Sequence, residues 1–431
     1  MKRLLCMILT GLMLFSAAAC TAAPEAAGTN HAPDPVKEPE PDDAPDAGIP
    51  AIGGYADFVK TLSAALVDGT ANKNLSPISV YLALAMVTEG AVGDTQADLL
   101  KLLGCESIEQ LRGVCGEMLN TLKTDAKDCA LEICDSIWMA KEINGMPAEF
   151  HEDFLGRLAE IYRSEANTVE FGTQSSAKQI ADWITEHTHG KIKISEDAMQ
   201  FDPGTLAVLI NTIYLKDGWA ETFEDSRTEP GVFAGLDGET KQPKEITVDY
   251  MSRFDKNATI TQGDGWLRYR VYLRNVGYVS FVLPDEGISL DHLLGSPDAL
   301  QKLLTAGIDK SCDVSLRIPK FSFQDKTELT DVLKALGLAR CFGGDADFSG
   351  MSDLPCTIDR VLQESYIGVD EYGVEAAAYT MVMMKNTAFN PVERERVDFH
   401  LTRPFLYTIE SRDGTVLFIG TVTAPTASKV G

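Results

Sequence analysis

Apolar residues recur at helical spacing early in the chain and in short continuous runs later. In residues 54–68, Phe58, Leu62 and Leu66 fall at successive i, i+4 positions, one face of an amphipathic helix. Ser76 and Pro77 then read as an N-cap and a first helical residue. Ile78 to Thr88 is apolar on nearly every side, which predicts a helix running through the core. Further helices are predicted at 96–103, 107–122, 148–163 and 177–188. Apolar runs predict strands at 206–215, 278–283, 313–318, 361–369, 404–409 and 416–422, the last two flanking a hairpin turn signal at Ser411-Arg-Asp-Gly414. Helices dominate the first half and strands the second. That is an α+β pattern; strand–helix alternation, which would build a doubly wound sheet, is missing.

One segment breaks the expected polarity. After the strand at 361–369, Glu371 to Lys385 has a single Gly, no Pro, and mostly small or apolar side chains. Loops are ordinarily rich in Ser, Asn, Asp, Gly and Pro, which satisfy the backbone locally. Counting by twos, Val374, Ala376, Ala378, Thr380, Val382 and Met384 form a small, apolar face suited to a buried strand. The opposite face carries Glu375 and Lys385. Glu-Ala-Ala-Ala is also a strong helix former, so the residues alone leave strand and helix start both open.

The ends and the charge narrow the function classes. Lys2 and Arg3 precede an apolar run, Leu4 to Phe15, too short for a comfortable membrane span. Ser16-Ala-Ala-Ala-Cys20 resembles the cleavage site of a bacterial lipoprotein, with Cys20 as the acylated new N-terminus holding the protein at a membrane surface. Ala17 stands where that class usually has Leu, which leaves simple secretion as the alternative. The expected organisation is a signal peptide at 1–20, an acidic Pro/Ala-rich disordered linker at 21–50 and one folded domain at 51–425. A net charge of −26 disfavours nucleic acid, whose phosphates need Lys and Arg. Beyond Cys6 and Cys20, the seven remaining cysteines lack C-x-x-C pairs, against a zinc site or a disulfide framework. No metal or cofactor is implied, and no basic helix suggests heparin.

Seven segments in order resemble the serpins, the serine protease inhibitor family. They are Asn74–Met86; Trp183–Ile192 with its Thr-x-Gly-Lys-Ile; Asn211–Trp219 with Phe223; Ile318–Phe321; Asp347–Met351; Gly373-x-Glu375-Ala-Ala-Ala preceded by Glu371; and Arg403–Leu406 with Leu417–Val422. Together they span about residues 52–425. The resemblance implies helices packed around three β-sheets with an exposed reactive-centre loop, about residues 371–398. It makes Glu371, Gly373, Val374, Glu375, Ala376, Ala377 and Ala378 the hinge. It assigns Ser76, Ser79, Asn211 and Gln363 to the shutter and Trp219 to the breach, where insertion begins. The family usually has His where Gln363 stands; Gln keeps the hydrogen bonds without titrating.

The implied mechanism is a suicide substrate. A serine protease, or a cysteine protease as a second class, attacks the loop and forms an acyl-enzyme. The cleaved loop then enters the large sheet as a strand and distorts the protease before the ester hydrolyses. Fifteen residues from Gly373 would span about 50 Å. The family's spacing puts the reactive bond at Thr387–Ala388, suited to elastase-like or subtilisin-like primary pockets. Lys385 would suit a trypsin-like enzyme in a shorter register, and Phe389 a chymotrypsin-like one in a longer register. The expected product is a monomer, not an enzyme, lipid-anchored at the cell surface and facing host or competing bacterial proteases. Alternatives are a non-inhibitory serpin, a penicillin-binding-type enzyme suggested by Ser175-Ser-Ala-Lys178, and a solute-binding lipoprotein. The second lacks a Lys-Thr-Gly or Ser-Asp-Asn partner, and the third has no use for the hinge. His187 and His189 lack H-E-x-x-H spacing and read as a solvated helix end.

Overall fold

The protein is described by a computed structural model over residues 54–123, 126, 129–296, 298–374 and 394–426. The helix Pro77–Gly90 is buried on nearly every side, as its uniformly apolar sequence requires. Ser76 caps it, its Oγ accepting from Ser79 N at 3.4 Å, with Pro77 as first helical residue. Helices Tyr55–Leu66, Gly93–Leu102, Ile108–Thr121, Glu152–Tyr162 and Gln174–His187 match the predicted set to within a few residues.

Among the described residues the strands form three sheets. Nine belong to one, in the order Lys73–Leu75, Val416–Val422, Phe405–Ser411, Gly277–Pro284, Trp266–Tyr272, Pro243–Gly263, Ile308–Pro319 and Arg396–His400, with Glu229–Leu236 also on Pro243–Gly263. Six form the second: Phe321–Glu328, Leu362–Val369, Gly373–Val374, Ala207–Gly218, Ala130–Ala140 and Glu165–Val169. The third is a small ribbon, Glu142–Ile143 with Met146–Pro147. The architecture is α+β, helices packed around sheets.

Several strands have no counterpart in the hydrophobic pattern. Pro243–Gly263 carries Lys244, Glu245, Asp249, Arg253, Asp255 and Lys256 and reads as polar, yet pairs on both sides. It kinks at Asn257, in the left-handed region at φ 54°, where the register against Ile308–Pro319 slips. Ala130–Ala140 is interrupted by Glu132, Asp135 and Ser136, which mask it in the same way.

The six-stranded sheet has two covered faces. Helix Gln174–His187 lies on one, with Trp138, Ile180 and Trp183 between. Helix Pro77–Gly90 packs against Ala207–Gly218 on the other, within the main core. The described residues stop at Val374 in this sheet and resume at Arg394, just before a strand of the nine-stranded sheet. The expected loop at 371–398 is therefore trimmed: Gly373–Val374 and Arg396–Asp398 are already strand.

Candidate functional site

The site is the place where Gly373–Val374 enters the six-stranded sheet. Val374 pairs with Val369 on one side and Asp217 on the other, and Gly373 pairs with Gly218, both antiparallel. Below Val374, no ladder joins Leu362–Gly368 directly to Ala207–Lys216 among the described residues. Over most of their length the Cα atoms of these two strands stay more than 8 Å apart, against about 4.8 Å for laddered neighbours. Val374 is 3% exposed and helps line a narrow cavity of about 20 Å³ with Ile213, Leu215, Ile367, Ile409 and Phe418. Gly373 is required by close approach: a Cβ there would stand 2.1 Å from the Asp217 carbonyl oxygen.

The rim of this slot is held by a dense set of bonds. Trp219, fully buried, donates from Nε1 to the Asp370 carbonyl at 2.8 Å and from its backbone N to the Tyr372 carbonyl at 2.9 Å. Phe223 N donates to the Glu371 carbonyl at 3.1 Å. The Glu371 carboxylate accepts from Thr228 Oγ1 at 2.7 Å and pairs with Lys320 Nζ at 2.7 Å. Burial pushes its pKa up, but the Lys320 ammonium and Thr228 hydroxyl outweigh that and hold it below the usual range. Tyr372 OH donates to Asp225 at 2.7 Å. Asp217 accepts from the Asn275 and Val276 backbone N–H groups and from Asn275 Nδ2, all at 2.8–2.9 Å.

Beneath the slot, Gln363 and Ser76 are joined twice: Ser76 N donates to Gln363 Oε1 at 2.9 Å, and Gln363 Nε2 donates to the Ser76 carbonyl at 2.8 Å. Ser76 Oγ donates to the Leu417 carbonyl at 2.9 Å, tying both sheets together. Asn211 does not join this group. Its Nδ2 donates across the strand pair to Asp135 Oδ1 at 2.7 Å, so it lies on the other side of the slot from Gln363. Ser79 Oγ is buried without a hydrogen-bond partner.

On the outer face, the turn after helix Gln174–His187 crosses above the slot. The His189 ring lies 4.2 Å from that of Tyr214 on one wall, and Lys191 Nζ sits 5.5 Å above the Tyr366 ring on the other. His187 stacks on Trp183 at 4.1 Å and is only partly solvated, unlike the expected free helix end; His189 reaches Glu132 at 3.1 Å. Ser175 and Lys178 share no catalytic geometry: Lys178 is bound to Asp182 at 2.6 Å on an exposed surface.

Of the residues expected to act together, Glu371, Gly373, Val374 and Trp219 meet at the rim, and Ser76 and Gln363 meet below. Glu375, Ala376, Ala377, Ala378, Thr387, Ala388 and Cys20 lie outside the described residues. The seven cysteines within them are free thiols. Asp135, Asp217 and Lys320 carry no functional signal in the sequence, because each acts through partners distant in the chain.

Comparisons with known proteins agree on one family. The profile described as Serpin (serine protease inhibitor) matches residues 54–425. Alpha-1-antiproteinase 2 of Equus caballus is 30% identical over 386 residues, covering 86% of this chain and 86% of that protein. Serpin-Z10 of Arabidopsis thaliana is 28% identical over 393 residues, covering 87% and 98%. Among solved structures, the thermophilic serpin tengpin in its native state is 28% identical with a TM-score of 0.73, covering 86% of this chain and 94% of that one. Tengpin in its latent state is 25% identical with a TM-score of 0.71, covering 87% and 98%. With the family profile spanning nearly all of the described fold, the chain belongs to the serpins, the serine protease inhibitor family.

Proposed function

We propose that the protein is an inhibitory serpin that traps its protease as an acyl-enzyme by inserting the cleaved loop into the six-stranded sheet. As a serpin it is not an enzyme, and serine proteases are its partner class. The observation that carries the reading is the seat of Gly373–Val374 between two strands that, among the described residues, are not laddered to each other. A strand continuing from Val374 in the same register would run antiparallel to both walls and ladder with each. In that register Met384 falls opposite Ala207 and Met381 opposite Leu362. Thr387–Ala388 then lies just past the end of the sheet. The inward positions after Val374 are Ala376, Ala378 and Thr380, with no charge or Pro to slow entry.

Incubation with elastase-like and subtilisin-like proteases is expected to yield a covalent complex stable to SDS and a released C-terminal peptide beginning at Ala388, identified by mass spectrometry. A broad serine and cysteine protease panel that cleaves the loop without any complex would instead assign the chain to the non-inhibitory serpins. A different first residue on the peptide would move the reactive bond and with it the target class.

The proposal includes anchoring at a membrane surface through an acylated Cys20, supported by the basic, apolar and small-residue sequence before it. The full chain expressed in a bacterium is expected to partition into a detergent phase and Cys20→Ser into the aqueous phase. Equal partitioning of the two would leave secretion as the reading.

A further inference from the structure

Asp135 has no part in the proposed mechanism. It stands directly opposite Asn211 in the ladder between Ala130–Ala140 and Ala207–Gly218, the latter being one wall of the slot. The residue is 2% exposed. Its Oδ1 accepts from Asn211 Nδ2 at 2.7 Å, while Asp135 Oδ2 and Asn211 Oδ1 are both buried with no hydrogen-bond partner. Both orphaned atoms thus belong to the same pair, and both are acceptors when the carboxyl is ionised. One proton removes the conflict. With Oδ2–H donating to Asn211 Oδ1 and Oδ1 still accepting from Nδ2, the two planar groups close a two-bond ring and no polar atom is left unpaired.

We infer that the Asp135–Asn211 pair is a proton-dependent staple that holds the wall of the slot to its neighbouring strand when Asp135 is neutral and loosens it when Asp135 is ionised. No Lys or Arg among the described residues pairs with this carboxyl from the neighbouring strands or the helices beneath. The other titratable groups that feel its charge are the Cys115 thiol on helix Ile108–Thr121 and the Cys134 thiol beside it on its own strand. Both thiols are themselves pushed up by burial and stay neutral, so neither offsets an ionised Asp135. Burial raises the Asp135 pKa to about 7, the Asn211 bond lowering it only in part. The folded state therefore keeps this proton to a higher pH than the unfolded chain. The stability it contributes is fully present in acid and is lost as pH rises through about 7. The staple concerns the sheet itself, so it holds whether or not the loop traps a protease.

Thermal melting of the wild type and of Asp135→Asn at pH 5 and pH 8 tests it. The amide keeps the size and can pair with Asn211 at either pH. The wild-type Tm is expected to fall by about 3 °C or more beyond the fall seen in the variant. Hydrogen exchange in peptides covering 130–140 and 207–218, corrected for the intrinsic effect of pH, is expected to speed up severalfold at pH 8 in the wild type alone. Parallel melting curves and parallel exchange in the two proteins would overturn the inference. Should Asp135→Asn not fold, the infrared band of a protonated buried carboxyl in the wild type decides. It is expected at pH 5 and gone at pH 8, and its absence at pH 5 also overturns the inference.

Discussion

Val374→Arg is expected to turn the protein from an inhibitor into a plain substrate. Val374 stands at the start of the segment proposed to insert, 3% exposed, with Val369 on one side and Asp217 on the other. Insertion beyond it competes with hydrolysis of the acyl-enzyme, so the outcome is a ratio of two rates. A guanidinium forced into the space bounded by Ile213, Leu215 and Ile367 has only the Asp217 carboxylate across the ladder, which already accepts three hydrogen bonds from Asn275 and Val276, so its charge goes largely unpaired. An unpaired buried charge costs several kcal/mol, and each ~1.4 kcal/mol on the insertion barrier shifts the ratio tenfold. The yield of SDS-stable complex is therefore expected to drop at least about tenfold, with cleaved chain rising to match. Val374→Ala, small and apolar, is expected to keep most of the complex. If Val374→Arg traps protease as well as the wild type, entry does not start at this residue and the slot is not the path of insertion.

Trp219→Ala is expected to give the largest loss of stability at the rim, about 3–5 kcal/mol, or a fall in Tm of roughly 5 °C. Trp219 is fully buried, packs edge-on to Phe223 at 6.2 Å, and donates its indole N–H to Asp370. Truncation removes that packing and leaves the Asp370 carbonyl short of a donor. The turn at Asp370–Gly373 then loses one of its two ties to Trp219, the backbone bond to Tyr372 alone remaining. Trp219→Phe, which keeps most of the volume, is expected to cost only about 1–2 kcal/mol, chiefly the hydrogen bond. Denaturant melts of the three proteins check this; a Trp219→Ala protein within 1 kcal/mol of wild type would mean the rim carries little of the sheet's stability.

Much of this site is legible in the chain itself. The period of two from Val374 is a pattern of the residues themselves, read by side-chain alternation along a strand, a local rule. The cap at Ser76 and Pro77 is local too, and it stands as expected. Gln363 is expected to keep the hydrogen bonds of the residue it replaces, and it bonds Ser76 in both directions. Asn211, placed by resemblance in the shutter with Ser76, Ser79 and Gln363, bonds Asp135 across its own strand pair.

The class of fold, the family, and the positions where the hinge begins can all be read from the residues in order. They depend on spacings within one segment, or on several such segments in succession. What the loop meets is set by packing alone. That Asp135 faces Asn211, 76 residues away, is a matter of strand register, and that Glu371 meets Lys320, 51 residues away, is a matter of which strands are neighbours. Neither leaves a periodic trace in the chain. A buried carboxylate is charged or neutral according to its surroundings, and those surroundings exist only once distant segments have packed around it.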